Sequence, residues 1–125
     1  MKDEKYFRGV FAINMLPRQM KNNECGIINF DPIDQPGSHW VAYYNNEYFD
    51  SFGLPPPQLI ENYLKTSGKD IYYNSSQLQK ANSVLCGDYC IHFIKKRNLG
   101  FRYYDILYHF QQQPSNYNEI NARIY

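Results

Sequence analysis

Apolar residues along this chain alternate between short runs with strand character and longer stretches at helical spacing. Residues 25–30 (CGIINF) form a brief apolar run bounded by turn signals, which predicts a buried strand. Residues 38–44 (SHWVAYY) and 47–50 (EYFD) read as strands separated by Asn45-Asn46. Asparagine tolerates the left-handed backbone of tight turns, so the pair predicts a β-hairpin. Pro57 can open a helix in its first turn, and Leu59, Ile60, Tyr63 and Leu64 then recur at helical spacing up to Gly68. Residues 70–73 suggest one more short strand. Cys86 opens an apolar helix (Tyr89, Ile91, Phe93, Ile94) that runs to about Arg97, with Gly100 as its stop signal. Residues 101–110 read as a final amphipathic helix ended by Pro114, and residues 115–125 as a polar tail. At the other end, residues 2–7 suggest a short charged helix. Residues 10–16 are apolar up to Pro17, and residues 18–24 and 31–37 read as polar loops. The expectation is one α+β domain over residues 1–125, a small central and mostly antiparallel sheet flanked by helices, with the Cys86 helix at its centre.

Length changes this picture little, because 125 residues suit a single core. A net charge of +1 argues against a dedicated nucleic-acid binder. A local cluster remains in Lys95, Lys96, Arg97 and Arg102, and that is where DNA would bind were it an activator. The helix dipole already accounts for the three cations in the last helical turn. The charged start MKDEKYFRG gives no expectation of a signal peptide, and no apolar run reaches the ~20 residues that span a bilayer. Three cysteines are an odd count, so a reducing compartment is expected rather than a disulfide framework.

The candidate chemistry centres on residues 79–90, QKANSVLCGDYC. A thiol at a helix N-terminus feels the positive end of the helix dipole, which favours the nucleophilic thiolate. Gly87, lacking a Cβ, lets a substrate approach that sulfur. The plainer alternative is a buried structural cysteine. A cysteine nucleophile needs a base and a group that orients the base. Of three histidines, His92 lies on the far side of the Cys86 helix, and His109 sits where packing or surface roles are commoner. His39 remains. With a two-residue turn at Asn45-Asn46, Tyr44 faces Glu47 and Val41 faces Asp50. His39 then shares a sheet face with Asp50, diagonal to it and roughly 7–8 Å away. Asp50 can accept from one ring nitrogen and leave the other for Cys86. Gln79 and the Cys86 N–H could together stabilise an oxyanion. Only its spacing to Cys86 raises Gln79 above the neighbouring Gln77. Cys90 reads as core packing. Zinc binding through Cys86, Cys90 and a histidine lacks a second ligand pair, so no metal and no cofactor are expected.

The order His39-Trp40, an acid in YFDSFG, then Gln79 seven positions ahead of Cys86-Gly87 resembles the adenovirus-type (adenain-like) cysteine endopeptidases. The blocks YFRGVF, CGIINF to GSHWVAYY, and LQKANSVLCGDYC carry the resemblance across most of residues 6–98. It implies a papain-like, adenain-like core with a central nucleophile helix and a triad of Cys86, His39 and Asp50 with Gln79 in the oxyanion hole. Trp40 and Gly87 would contact substrate. It further implies a monomeric maturation protease of a virus, virophage or self-synthesising transposon. Such an enzyme would cut capsid or core precursors near glycine-containing sites, inside the host cell and virion. The chain departs from the adenovirus pattern in a shorter hairpin and in Asp50 where glutamate is usual. No cysteine lies in residues 67–73, so a disulfide-linked peptide cofactor is not expected. Two alternatives are a protease for ubiquitin-like modifiers, against which the Gln79 spacing counts, and an inactive binding relative.

Overall fold

A computed structural model describes residues 1, 3–30, 39–78 and 86–111. Strand β1 spans Phe7–Ala12 and passes into a single 3-10 turn at Ile13–Met15. There follow β2 (Cys25–Asn29), β3 (Trp40–Tyr44), β4 (Glu47–Phe49), helix α1 (Gln58–Lys65) and β5 (Tyr72–Tyr73). Helices α2 (Cys86–Asn98) and α3 (Tyr103–Gln111) complete the described chain. The loop read at 31–37, the break at Pro114 and the tail at 115–125 lie outside the described residues. No described helix is long and apolar enough to cross a membrane.

The five strands form one sheet in the order β1-β2-β3-β4-β5. The expected antiparallel centre is β2-β3-β4, and a parallel strand joins it on each side. The hairpin has the two-residue turn that its asparagines suggested, with Tyr44 opposite Glu47, Tyr43 opposite Tyr48 and Ala42 opposite Phe49. Asn45 takes the left-handed conformation (φ 55°), and its Oδ1 accepts from Glu24 N–H at 2.9 Å. β2 is buried along its whole length, as an apolar strand covered on both faces should be.

Strand alternation divides the core in two. Val41, Tyr43 and Tyr48 pack with Ile28 against Ile60, Tyr63 and Leu64 of α1. Ala42 and Phe49 face the other way, onto Tyr89, Cys90, Phe93 and Ile94 of α2, with Ile106, Leu107 and Phe110 of α3 alongside. Phe49 and Phe93 stack at 4.8 Å. A Cβ on Gly26 would lie 2.7 Å from the Tyr43 hydroxyl, so only glycine lets that ring cross β2. The Tyr43 and Tyr63 hydroxyls both donate to buried Glu24, which also accepts from Arg8 Nη1 at 2.9 Å. This network joins β1, β3 and α1 at the end of the sheet that carries the Asn45-Asn46 turn.

Three local expectations differ from the structure. The described part of 2–7 is a turn, with Glu4 N–H donating to Met1 O and Phe7 N–H to Glu4 O, and Phe7 already belongs to β1. Its charges suggested a helix, but pairing along β2 decides the conformation. Leu59 is on the helical pattern yet 55 % exposed, because the buried stripe of α1 is Ile60, Tyr63 and Leu64. Glu24 falls in the stretch whose composition predicts a polar loop, yet it is buried at the centre of its network.

Candidate active site

Cys86 is the first residue of α2, so its sulfur sits where the unpaired N–H groups of the helix gather. α2 lies across β3, which brings the sulfur to the start of that strand. Alternation along the hairpin aims the Trp40 N–H to the β4 side, but β4 has already ended at Phe49. Cys86 Sγ takes the place of the missing ladder partner and accepts that N–H at 3.4 Å. Burial pushes the thiol pKa up. The neighbouring His39 imidazole and the Trp40 and Gly87 N–H groups outweigh it, and the thiol ends below its ordinary value.

His39 immediately precedes β3, and its Nε2 lies 3.0 Å from Asp50 Oδ1. The diagonal relation read from hairpin parity therefore becomes a direct contact. Asp50 is wholly buried, and the His39 side chain is 14 % exposed. Burial pulls the imidazole pKa down, but hydrogen bonds and charge from Asp50 and Cys86 raise it to about 9. The other ring nitrogen, Nδ1, is buried and makes no hydrogen bond of standard geometry among the described residues. It is the nitrogen left over once Asp50 holds Nε2. The ring is fixed by aromatic neighbours, stacked on Phe52 at 5.0 Å and met edge-on by Phe30 at 4.9 Å.

Cys86, His39 and Asp50 are thus brought together. Trp40 and Gly87 flank the sulfur, both half-buried, and a Cβ built on Gly87 would reach Trp40 Cδ1 at 3.9 Å, an ordinary contact. Gln79 lies outside the described residues. Cys25 and Cys90 are buried, the first pushed up to about 12 and the second well above its usual value, chiefly by burial. His92 is buried against Phe110, with ring centroids 4.8 Å apart. The basic cluster is partly consumed internally. Arg97 pairs with Glu47 at 2.7 Å and lies over the Tyr44 ring, while Arg102 pairs with Asp105 at 2.9 Å.

Sequence reasoning missed the residues that hold Asp50 in place. Phe52 donates its N–H to Asp50 Oδ1 at 2.8 Å, closing an Asx-type turn that the segment DSFG could have signalled. Gly53 has φ 75°, and a Cβ there would meet the Ser76 carbonyl carbon at 2.6 Å. Nothing in the local pattern marks Asn74, whose side chain binds the Asp50 backbone from 24 positions away.

No protein-family model matches the chain. Among curated proteins it is 36 % identical over 112 residues to a protein of Acanthamoeba polyphaga mimivirus named as a thiol protease, covering 77 % of this chain and 35 % of that protein. It is 30 % identical over 94 residues to the protease of Bovine adenovirus C serotype 10, covering 59 % of this chain and 48 % of that one. The chain therefore spans roughly a third to a half of the length of these relatives. Among solved structures, the ASFV pS273R protease superposes with a TM-score of 0.55 at 22 % identity, over 74 % of this chain and 39 % of that one.

Proposed function

On the premise that this chain resembles the adenain-like viral cysteine proteases in sequence and shares their fold, we propose that it is a cysteine endopeptidase. The observation that carries the reading is His39 held between a buried carboxylate, at 3.0 Å, and a thiol whose pKa it lowers. With the imidazole raised and the thiol lowered, the pair favours imidazolium and thiolate, the resting state that an acyl transfer through sulfur needs.

The reaction follows from that pair. Cys86 thiolate attacks the scissile carbonyl carbon, and the C=O electrons move onto oxygen. The Cys86 N–H and the Gln79 side-chain amide stabilise the oxyanion. As the carbonyl re-forms, the C–N bond breaks and His39 passes its Nδ1 proton to the departing amine, leaving a thioester. Neutral His39 then takes a proton from water, whose oxygen attacks the thioester. Collapse of the second oxyanion releases the carboxylic acid and restores the thiolate. Asp50 keeps Nε2 protonated throughout, which reserves Nδ1 for this traffic. Trp40 and Gly87 line the approach to the sulfur, and the missing Cβ of Gly87 leaves room for substrate backbone.

The substrates in this reading are capsid or core precursor proteins, cut near glycine-containing sites. Alkylation by a thiol-directed active-site probe, lost in Cys86→Ala, followed by a peptide-library cleavage screen tests it. Probe labelling with no peptide cleaved, but turnover of ubiquitin-like fusions, would replace it with the modifier-protease alternative.

A further inference from the structure

β5 joins β4 in parallel, pairing Glu47 with Tyr72 and Tyr48 with Tyr73, and then stops. The next residue, Asn74, is 3 % exposed and uses its side chain where the strand's backbone would have continued. Its Oδ1 accepts from Asp50 N–H at 3.0 Å, and its Nδ2 donates to Asp50 C=O at 2.6 Å. Both backbone groups of one residue are thereby held by a single planar amide. That leaves the Asp50 peptide little freedom to rotate, and its side chain leaves the backbone in one direction.

The same clamp reaches the chain that leads to Gln79. Asn74 Nδ2 also lies 3.4 Å from Ser76 O, and Leu78 N–H donates to Ser51 O at 2.8 Å. Gly53 N–H also donates to the Asp50 carbonyl, at 2.8 Å. Residues 50–53 and 74–78 are therefore one hydrogen-bonded unit. The acid of the triad and the last described residue before Gln79 both belong to it.

We propose that Asn74 is a positioning residue for the chemistry at Cys86, clamping the Asp50 backbone so that the carboxylate stays under His39. The proposal rests on the reading of the site given above. It also makes a claim that needs no substrate, namely that loosening Asn74 weakens the hold of Asp50 on His39. Among the described residues, the ionisable groups facing His39 are Asp50 and Cys86, and the rings packed on it, Phe30 and Phe52, carry no charge.

The test compares Asn74→Ala and Asn74→Asp with the parent. The Asp variant keeps the shape and the Oδ1 acceptor but replaces the donor to the Asp50 carbonyl with a repelling oxygen. The His39 imidazole is titrated by NMR, the rate of Cys86 alkylation is followed against pH, and kcat and KM are measured on a cleavable peptide. In Asn74→Ala the His39 titration should move down in pH, and the pH above which the imidazolium is lost should move with it. The carboxylate added in Asn74→Asp opposes that shift, so turnover is the readout for that variant. Turnover should fall roughly tenfold or more through kcat, with KM within about twofold, the pattern expected when transition-state support is lost rather than binding. Folded variants with the parent's His39 titration and kcat would overturn the proposal. So would loss of the fold in both, because Asn74 would then be a purely structural residue. If the parent cleaves no peptide but the titration still moves, the protease reading fails and the positioning role stands.

Discussion

Gly87→Ala should make this protein more stable and less active, and the two effects have separate causes. Gly87 is the second residue of α2, and its φ is not in the left-handed region, so alanine can adopt its backbone without strain. Among the described residues the added methyl would meet Trp40 Cδ1 at 3.9 Å, within ordinary van der Waals range, so no clash there offsets the gain. Replacing glycine by alanine at a compatible helical position stabilises by about 0.4–1 kcal/mol, largely by restricting the unfolded chain. For a chain of this length that raises Tm by roughly 2–5 °C. In activity the methyl is added at the residue next to Cys86, where substrate backbone would approach in a cysteine endopeptidase. A misplacement of about 1 Å there costs on the order of a hundredfold in rate. Thermal unfolding by circular dichroism and peptide turnover, measured on one preparation, give the two signs. The Gly87 N–H that supports the sulfur survives in alanine, so a change in thiol pKa would not account for the loss. Higher Tm with unchanged kcat/KM would show that substrate does not pass over Gly87. Lower Tm would refute the packing argument.

Iodoacetamide at mildly acidic pH should label Cys86 ahead of Cys25 and Cys90, whose thiol pKa values burial raises, and equal labelling by mass spectrometry would contradict an activated thiolate. His39 titrates above its ordinary 6.5, so its contribution to stability is full below that pH and fades as pH rises through about 9. In Asp50→Asn the imidazole should return towards its ordinary value, and the fall in Tm between pH 6.5 and 9 should shrink; an unchanged pH–Tm curve would sink the linkage. Gln79→Ala should cost roughly 10²–10³ in kcat if it supplies an oxyanion donor, and a larger loss in Gln77→Ala would show the spacing argument to be misplaced. Inserting one glycine between Asn45 and Asn46 should harm cleavage far more than inserting two, because a single residue turns Asp50 to the face opposite His39. Similar activity in both insertion variants would sink the parity argument.

Local chemistry made part of this protein legible from its sequence. A two-residue asparagine turn sets the parity of a hairpin, and parity decides which side chains share a face, so the meeting of His39 with Asp50 followed from counting. The Cys86 helix start was equally readable, because dipole, cysteine and glycine are neighbours in the chain. What only the tertiary structure decided involves partners far apart in sequence. Residues 7–12 are a strand because β2 offers them a ladder, and Glu24 is buried because Arg8, Tyr43 and Tyr63 converge on it from three elements. Arg97 is drawn to Glu47 across the sheet rather than left to solvent or a ligand. Asn74 carries no local mark of its task, since an asparagine that ends a strand looks the same whether it faces water or the backbone of Asp50. Spacing along the chain records which residues are neighbours on one element. Which elements meet is decided by burying both faces of the sheet at once, and that is a property of the whole fold.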